Sequence, residues 1–144
     1  MKAIILASLF LAGIATQAAA ALPQGLWKVE QVTIEKSTNG NVETTVYNAA
    51  AEVQSYIPCF KTWEIGAQNI VIRYDENRVK TVRPTVKGNT VTIVSGTSTT
   101  SYQYELSGDT LTLTVTHNYP YNHRANQASP VEEKWTIKLK EVKN

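Results

Sequence analysis

Apolar and polar residues alternate with a period of two through most of the chain from Gly25 onward, most clearly in its second half. Tyr102, Tyr104 and Leu106 alternate with Ser101, Gln103 and Glu105, and after a Ser107-Gly108-Asp109 turn Leu111, Leu113 and Val115 alternate with Thr110, Thr112, Thr114 and Thr116. Successive side chains of a strand point to opposite faces, so the pattern predicts two half-buried strands joined as a hairpin. Trp135, Ile137 and Leu139 close the chain on one face, with Lys134, Thr136, Lys138 and Lys140 on the other. Upstream, Val91 and Ile93 follow the Lys87-Gly88-Asn89 turn, and Ile70, Ile72 and Tyr74 alternate with Val71 and Arg73.

The first strand, about Gly25 to Glu35, carries Trp27 and Val29 on one face before the apolar parity shifts to Val32 and Ile34. One extra residue swaps the faces of a strand, so a bulge or bend is expected near Glu30-Gln31. Thr38-Asn39-Gly40-Asn41 is a hairpin signal, because Asn-Gly suits positive φ, and Val42 to Tyr47 returns as the second strand. Asn48 to Ile57 reads as a helical turn or loop ended by Pro58, and Phe60 to Ile65 as a strand placing Trp63 and Ile65 on one side. Asp75-Glu76-Asn77 turns the chain into a short basic segment, Arg78 to Arg83, which Pro84 marks as an edge or strand end. His117 to Pro130 has no periodicity, holds two prolines, and reads as a long loop of the kind that forms lids or partner contacts.

These strands, joined by hairpin-length connections, predict an all-β, eight-stranded antiparallel up-and-down β-barrel, with an antiparallel β-sandwich as the alternative. Closure removes the edges along which flat Thr/Val strands pair between molecules, which favours the barrel. The candidate inward residues are Trp63, Ile72, Tyr74, Tyr102, Tyr104, Leu113, Val115 and Trp135.

The N-terminal residues predict that this domain is exported. Residues 1–21 read as an export signal: Lys2 supplies the positive start, Ile4 to Ile14 an apolar run too short to span a bilayer comfortably, and Ala18 to Ala21 a small-residue cleavage site. Leu11-Ala12-Gly13 is followed by Ile14 where a lipid-bearing cysteine would stand, so no membrane anchor is expected. Removing 1–21 leaves 123 of the 144 residues, residues 22–144, enough for one domain. Without Lys2 that domain has 13 basic against 12 acidic residues, a balance that favours neither nucleic acid nor an anionic surface. Cys59 is the only cysteine, so no intrachain disulfide forms and stability must come from burial. The expected location is periplasmic or extracellular.

The Gly25-Leu26-Trp27 opening just after the signal, the turn-separated strands and the tryptophan-bearing last strand resemble the bacterial lipocalin-like domain families of the calycin superfamily. The resemblance implies a barrel with one mouth open to solvent and the other end plugged by Trp27, with Gly25 beside it. The late arginine that packs over this tryptophan in typical lipocalins has no counterpart after Arg124, where Lys138 or Lys140 remain as substitutes.

An eight-stranded barrel either fills with side chains or holds one small ligand. Trp63, Tyr74, Tyr102, Tyr104 and Trp135 are the candidate binding residues: large apolar bodies with polar tips that orient a small hydrophobic or amphipathic molecule. The other reading is a non-enzymatic cell-envelope interaction or structural module whose barrel is filled, engaging a protein through the 117–130 loop. His117 and His123 lack a coordination spacing, so no metal is expected, and no cofactor. Cys59, beside Pro58 and Phe60, reads as a buried small hydrophobe with no activating base. Glu132-Glu133 and Asp75-Glu76 read as solvated acidic pairs. No serine elbow, phosphate loop or helical His-Glu pair is present, so no catalytic residue is assigned and enzymatic function is not expected.

Overall fold

The computed structural model describes residues 21–119 and 130–144. The segment 1–21, expected to be an export signal, therefore lies almost wholly outside the described residues, as do His123 and most of the 117–130 segment.

Ten strands form one antiparallel sheet: β1 (Gly25–Thr38), β2 (Asn41–Tyr47), β3 (Thr62–Ile65), β4 (Ile70–Arg73), β5 (Val79–Val82), β6 (Thr85–Lys87), β7 (Thr90–Ser95), β8 (Ser98–Ser107), β9 (Thr110–Tyr119) and β10 (Val131–Glu141). Nine run in the order β5-β4-β3-β1-β10-β9-β8-β7-β6, while β2 pairs with β1 beside that path. The order is a meander made circular by the pairing of first and last strands, and the sheet curls into a barrel-like half-cylinder. A single hydrogen-bonded sheet excludes the sandwich. The ends of the path, β5 and β6, are joined covalently through Arg83-Pro84, with no ladder between them among the described residues. Proline at Pro84 fits this seam, since it has no N–H to give a neighbouring strand. Thr85–Lys87 is the strand that the alternation does not announce, because three residues carry too little pattern.

β1 is the organising strand. It pairs with β10 from Trp27 opposite Glu141 to Thr38 opposite Val131, and the register slips between Val29 and Gln31. That slip is the expected bulge, and it lets Trp27 and Val29 face the same interior as Val32 and Ile34; all four are buried. On its other edge β1 pairs first with β3, Trp27 opposite Trp63, and beyond the bulge with β2. Gly25 has φ +129°, a conformation that L side chains rarely adopt, and the tight entry lets the Trp27 indole N–H donate to the Pro23 carbonyl at 3.1 Å.

The two ends of the curl differ. At the Gly25 end Leu22, Trp27, Ile65, Ile70, Leu111 and Leu139 are buried together. This packing follows from parity, because each strand brings an apolar residue inward at that level. At the opposite end the interior is crossed by the segment between β2 and β3. It begins with a single 3-10 turn, Ala50–Glu52, and runs on as a strap in which Val53, Ile57, Cys59 and Phe60 join the core. Its last residue, Lys61, is sewn to the sheet: its carbonyl accepts from Val29 N–H at 2.9 Å and its N–H donates to the Arg73 carbonyl at 2.7 Å. The strand expected from Phe60 therefore begins at Thr62. No helix among the described residues is long and apolar enough to cross a membrane.

Candidate ligand cavity

Between the strap and the sheet lies a cavity of about 790 Å³. Six strands supply its walls: Val115, Trp135 and Ile137 from β9 and β10, Ile72 and Val82 from β4 and β5, Ile93 and Tyr102 from β7 and β8. The strap contributes Ile57, Pro58, Cys59 and Phe60. Asn77, Arg78, Ser95, Ser98 and Thr99, which stand in or beside the exposed turns opposite the Trp27 end, form its mouth. Pockets that enclose small ligands have about this size, and are mostly apolar with a few polar groups.

The five expected binding residues divide. Tyr74, Tyr102 and Trp135 line the cavity; Trp63 and Tyr104 do not. Trp63 is fully buried behind the lining, its ring 5.1 Å from Phe60 and 5.3 Å, edge-on, from Tyr102, so it backs the two rings that border the space. Its indole N–H has no hydrogen-bond partner among the described residues. Tyr104 turns toward the other end of β8, where its hydroxyl donates to the Gly88 carbonyl at 3.0 Å. Both obey the inward parity read from sequence, but parity does not say at which level along a strand a side chain meets the lumen.

The polar groups are unevenly placed. Glu133 faces inward with Trp135 and Ile137 and is 9% exposed, which overturns its reading as a solvated residue; Glu132 alone is outward. Its Oε2 accepts from the Trp135 indole at 3.1 Å and from the Ser55 hydroxyl at 3.2 Å, so one carboxylate ties the strap to β10. The sequence held the signal, since Glu133 has the parity of Trp135. Asp75 is half-exposed, and its bond to the Arg78 Nε at 2.6 Å holds its carboxyl below the usual range.

His117 lies within β9, as does Tyr119, so the expected loop at 117–130 begins later than the sequence suggests. The His117 ring packs edge-on against Trp135 at 5.4 Å, borders the cavity, and stands directly across from Glu133. Burial lowers its pKa from the ordinary 6.5, while the negative charge of Glu133 acts the other way. An unfolded chain then binds a proton near pH 6.5 that the folded chain resists, so this histidine's contribution to stability falls as pH drops below that value. Replacing His117 with Gln should therefore flatten the loss of urea stability between about pH 7.5 and about pH 5. An unchanged pH dependence would contradict the burial of a neutral ring.

Burial pushes the Cys59 thiol up to about 12, so it stays protonated at neutral pH and makes a poor nucleophile; it donates to the Phe60 carbonyl at 3.3 Å. Burial likewise raises the Tyr74 and Tyr102 hydroxyls, keeping both as neutral hydrogen-bonding tips. Among the described residues no group of three His, Cys, Asp or Glu side chains is placed to hold a metal ion. Arg78, just before the edge strand β5, and Lys80 within it both line the cavity and both lie over the Tyr74 ring, at 5.7 and 5.9 Å. Comparison of the chain with protein-family models, with characterised proteins and with solved structures gives no match.

Proposed function

We propose that the protein is an exported, lipocalin-like binding protein that holds one small amphipathic molecule in the cavity beneath the strap. The observation that carries this reading is the cavity itself: about 790 Å³, walled by apolar and aromatic side chains, with polar groups gathered at its mouth. A filled barrel acting only through its surface would have no use for that space, so the volume favours binding over the interaction-module reading. The protonated state of Cys59, which makes it a poor nucleophile, supports binding over thiol catalysis. The gathering of Lys2, Ile4 to Ile14 and Ala18 to Ala21 supports export to the periplasm or beyond.

Titration with the neutral fluorescent amphiphile N-phenyl-1-naphthylamine tests the reading. One molecule should bind per chain with enhanced emission, and Val115→Trp, which puts a large ring into the cavity wall, should weaken it by about tenfold or more. Native mass spectrometry of the exported protein gives the mature mass and any molecule carried with it. No binding by the wild type, or equal binding by the Val115→Trp chain, would overturn the proposal.

A further inference from the structure

The charged residues lining the cavity are Arg78 and Lys80, and both are cationic; no carboxylate lines it among the described residues. We propose that the cavity takes an amphiphile with an anionic head group, seated against Lys80 at the mouth with its tail toward Tyr102 and Trp135. This rests on the reading of the cavity as a binding site and adds the charge of the ligand.

The two cations are not equivalent. Arg78 is neutralised by Asp75, in contact at 2.6 Å, which leaves its guanidinium partly committed. Lys80 has no ion pair within 4.0 Å among the described residues; its ammonium meets only the Ser95 hydroxyl, at 3.4 Å, and the face of Tyr74. A hydroxyl and a ring hold an ammonium in place without cancelling its charge, and an ammonium keeps three donors to offer. Ser98, Thr99 and Thr100 stand on the same side and supply hydroxyl donors. Neither nearby carboxylate lines the cavity: Asp75 is taken up by Arg78, and Glu133 is occupied by Ser55 and Trp135. An anion at the mouth would thus meet one uncompensated positive charge and several hydroxyls, whereas a cationic head would meet repulsion with no carboxylate to offset it. The opposite wall, Val115, Ile137 and the Trp135 ring, is where an alkyl tail is sheltered from water.

Calorimetric titration of the wild-type protein and of Lys80→Met with four twelve-carbon probes below their micelle concentrations tests this: dodecyl phosphate, dodecanoate, dodecanol and dodecyltrimethylammonium. The wild type should bind one or both anions about tenfold or more tighter than dodecanol, and the trimethylammonium probe most weakly. The more favoured of the two anions identifies the head group as phosphate or carboxylate. Lys80→Met should bring the anions to the level of dodecanol, with an unchanged circular dichroism spectrum reporting an intact fold; Lys80→Glu should reverse the order of anion and cation. Dodecanol binding as tightly as the anions, or anion affinity unaffected by Lys80→Met, overturns the charge assignment while the cavity reading stands. Binding of none of the four overturns the cavity reading and this inference with it.

Discussion

Trp27→Ala is expected to lower the unfolding free energy by about 3–5 kcal/mol, measured by urea denaturation of the protein. The ring is 2% exposed and sits where β1 pairs with both β3 and β10, opposite Trp63 and Glu141. Its removal opens a hole among Leu22, Ile65 and Leu139, all buried, and leaves the Pro23 carbonyl without the indole donor. A domain of this size is held by about 5–15 kcal/mol in total, so one side chain accounts for a large share. Trp27→Phe, which keeps most of the bulk and loses only the N–H, should cost about 1–2 kcal/mol. A loss below about 1 kcal/mol for Trp27→Ala would mean that the Gly25 end is not packed as described.

Glu133→Ala should cost about 2–4 kcal/mol, because truncation leaves two polar groups without their acceptor, one of them the buried Trp135 N–H. The strap should also loosen. Ile57 N–H donates to the Ser55 hydroxyl at 3.4 Å, and that hydroxyl is in turn anchored by Glu133, so amide exchange at Ile57 should quicken. Glu133→Gln keeps an acceptor oxygen for the indole and should cost less, about 1 kcal/mol. A Glu133→Ala chain as stable as the wild type, with unchanged exchange at Ile57, would show that the carboxylate does not hold the strap.

The strands that sequence patterning makes visible are those whose two faces differ. β8, β9 and β10 are placed within a few residues by alternation alone, and the parity change from Val29 to Val32 locates the bulge. The same logic hides what lies across the barrel mouth. Residues 53–61 follow no period, because a strap packs by where it is pinned, at Ser55 and Lys61, and not by an alternating face. Lys80 and Arg78 look like the charges that blunt an edge strand, and Lys80 stands on β5 with Arg78 just before it; only the curl of the sheet brings them to the interior space. Glu133 was within reach, two residues before Trp135 on the same face, yet its chemistry suggests solvent more strongly than parity suggests burial. Tyr104 and Trp63 share the inward face with Tyr102 and Trp135, and level along the strand, set by the register of neighbours, decides which of them meets the cavity.

Methyl NMR of the protein titrated with dodecanoate bears most directly on a one-ended cup with the proposed binding space opposite Trp27. The methyls of Ile72, Ile93, Val115 and Ile137, which border the cavity, should shift together and saturate at one ligand per chain. Those of Leu22, Ile65, Ile70 and Leu139, packed at the Trp27 end, should stay where they are. Shifts confined to the Trp27 end, or no saturable shift at any of the cavity methyls, would contradict it.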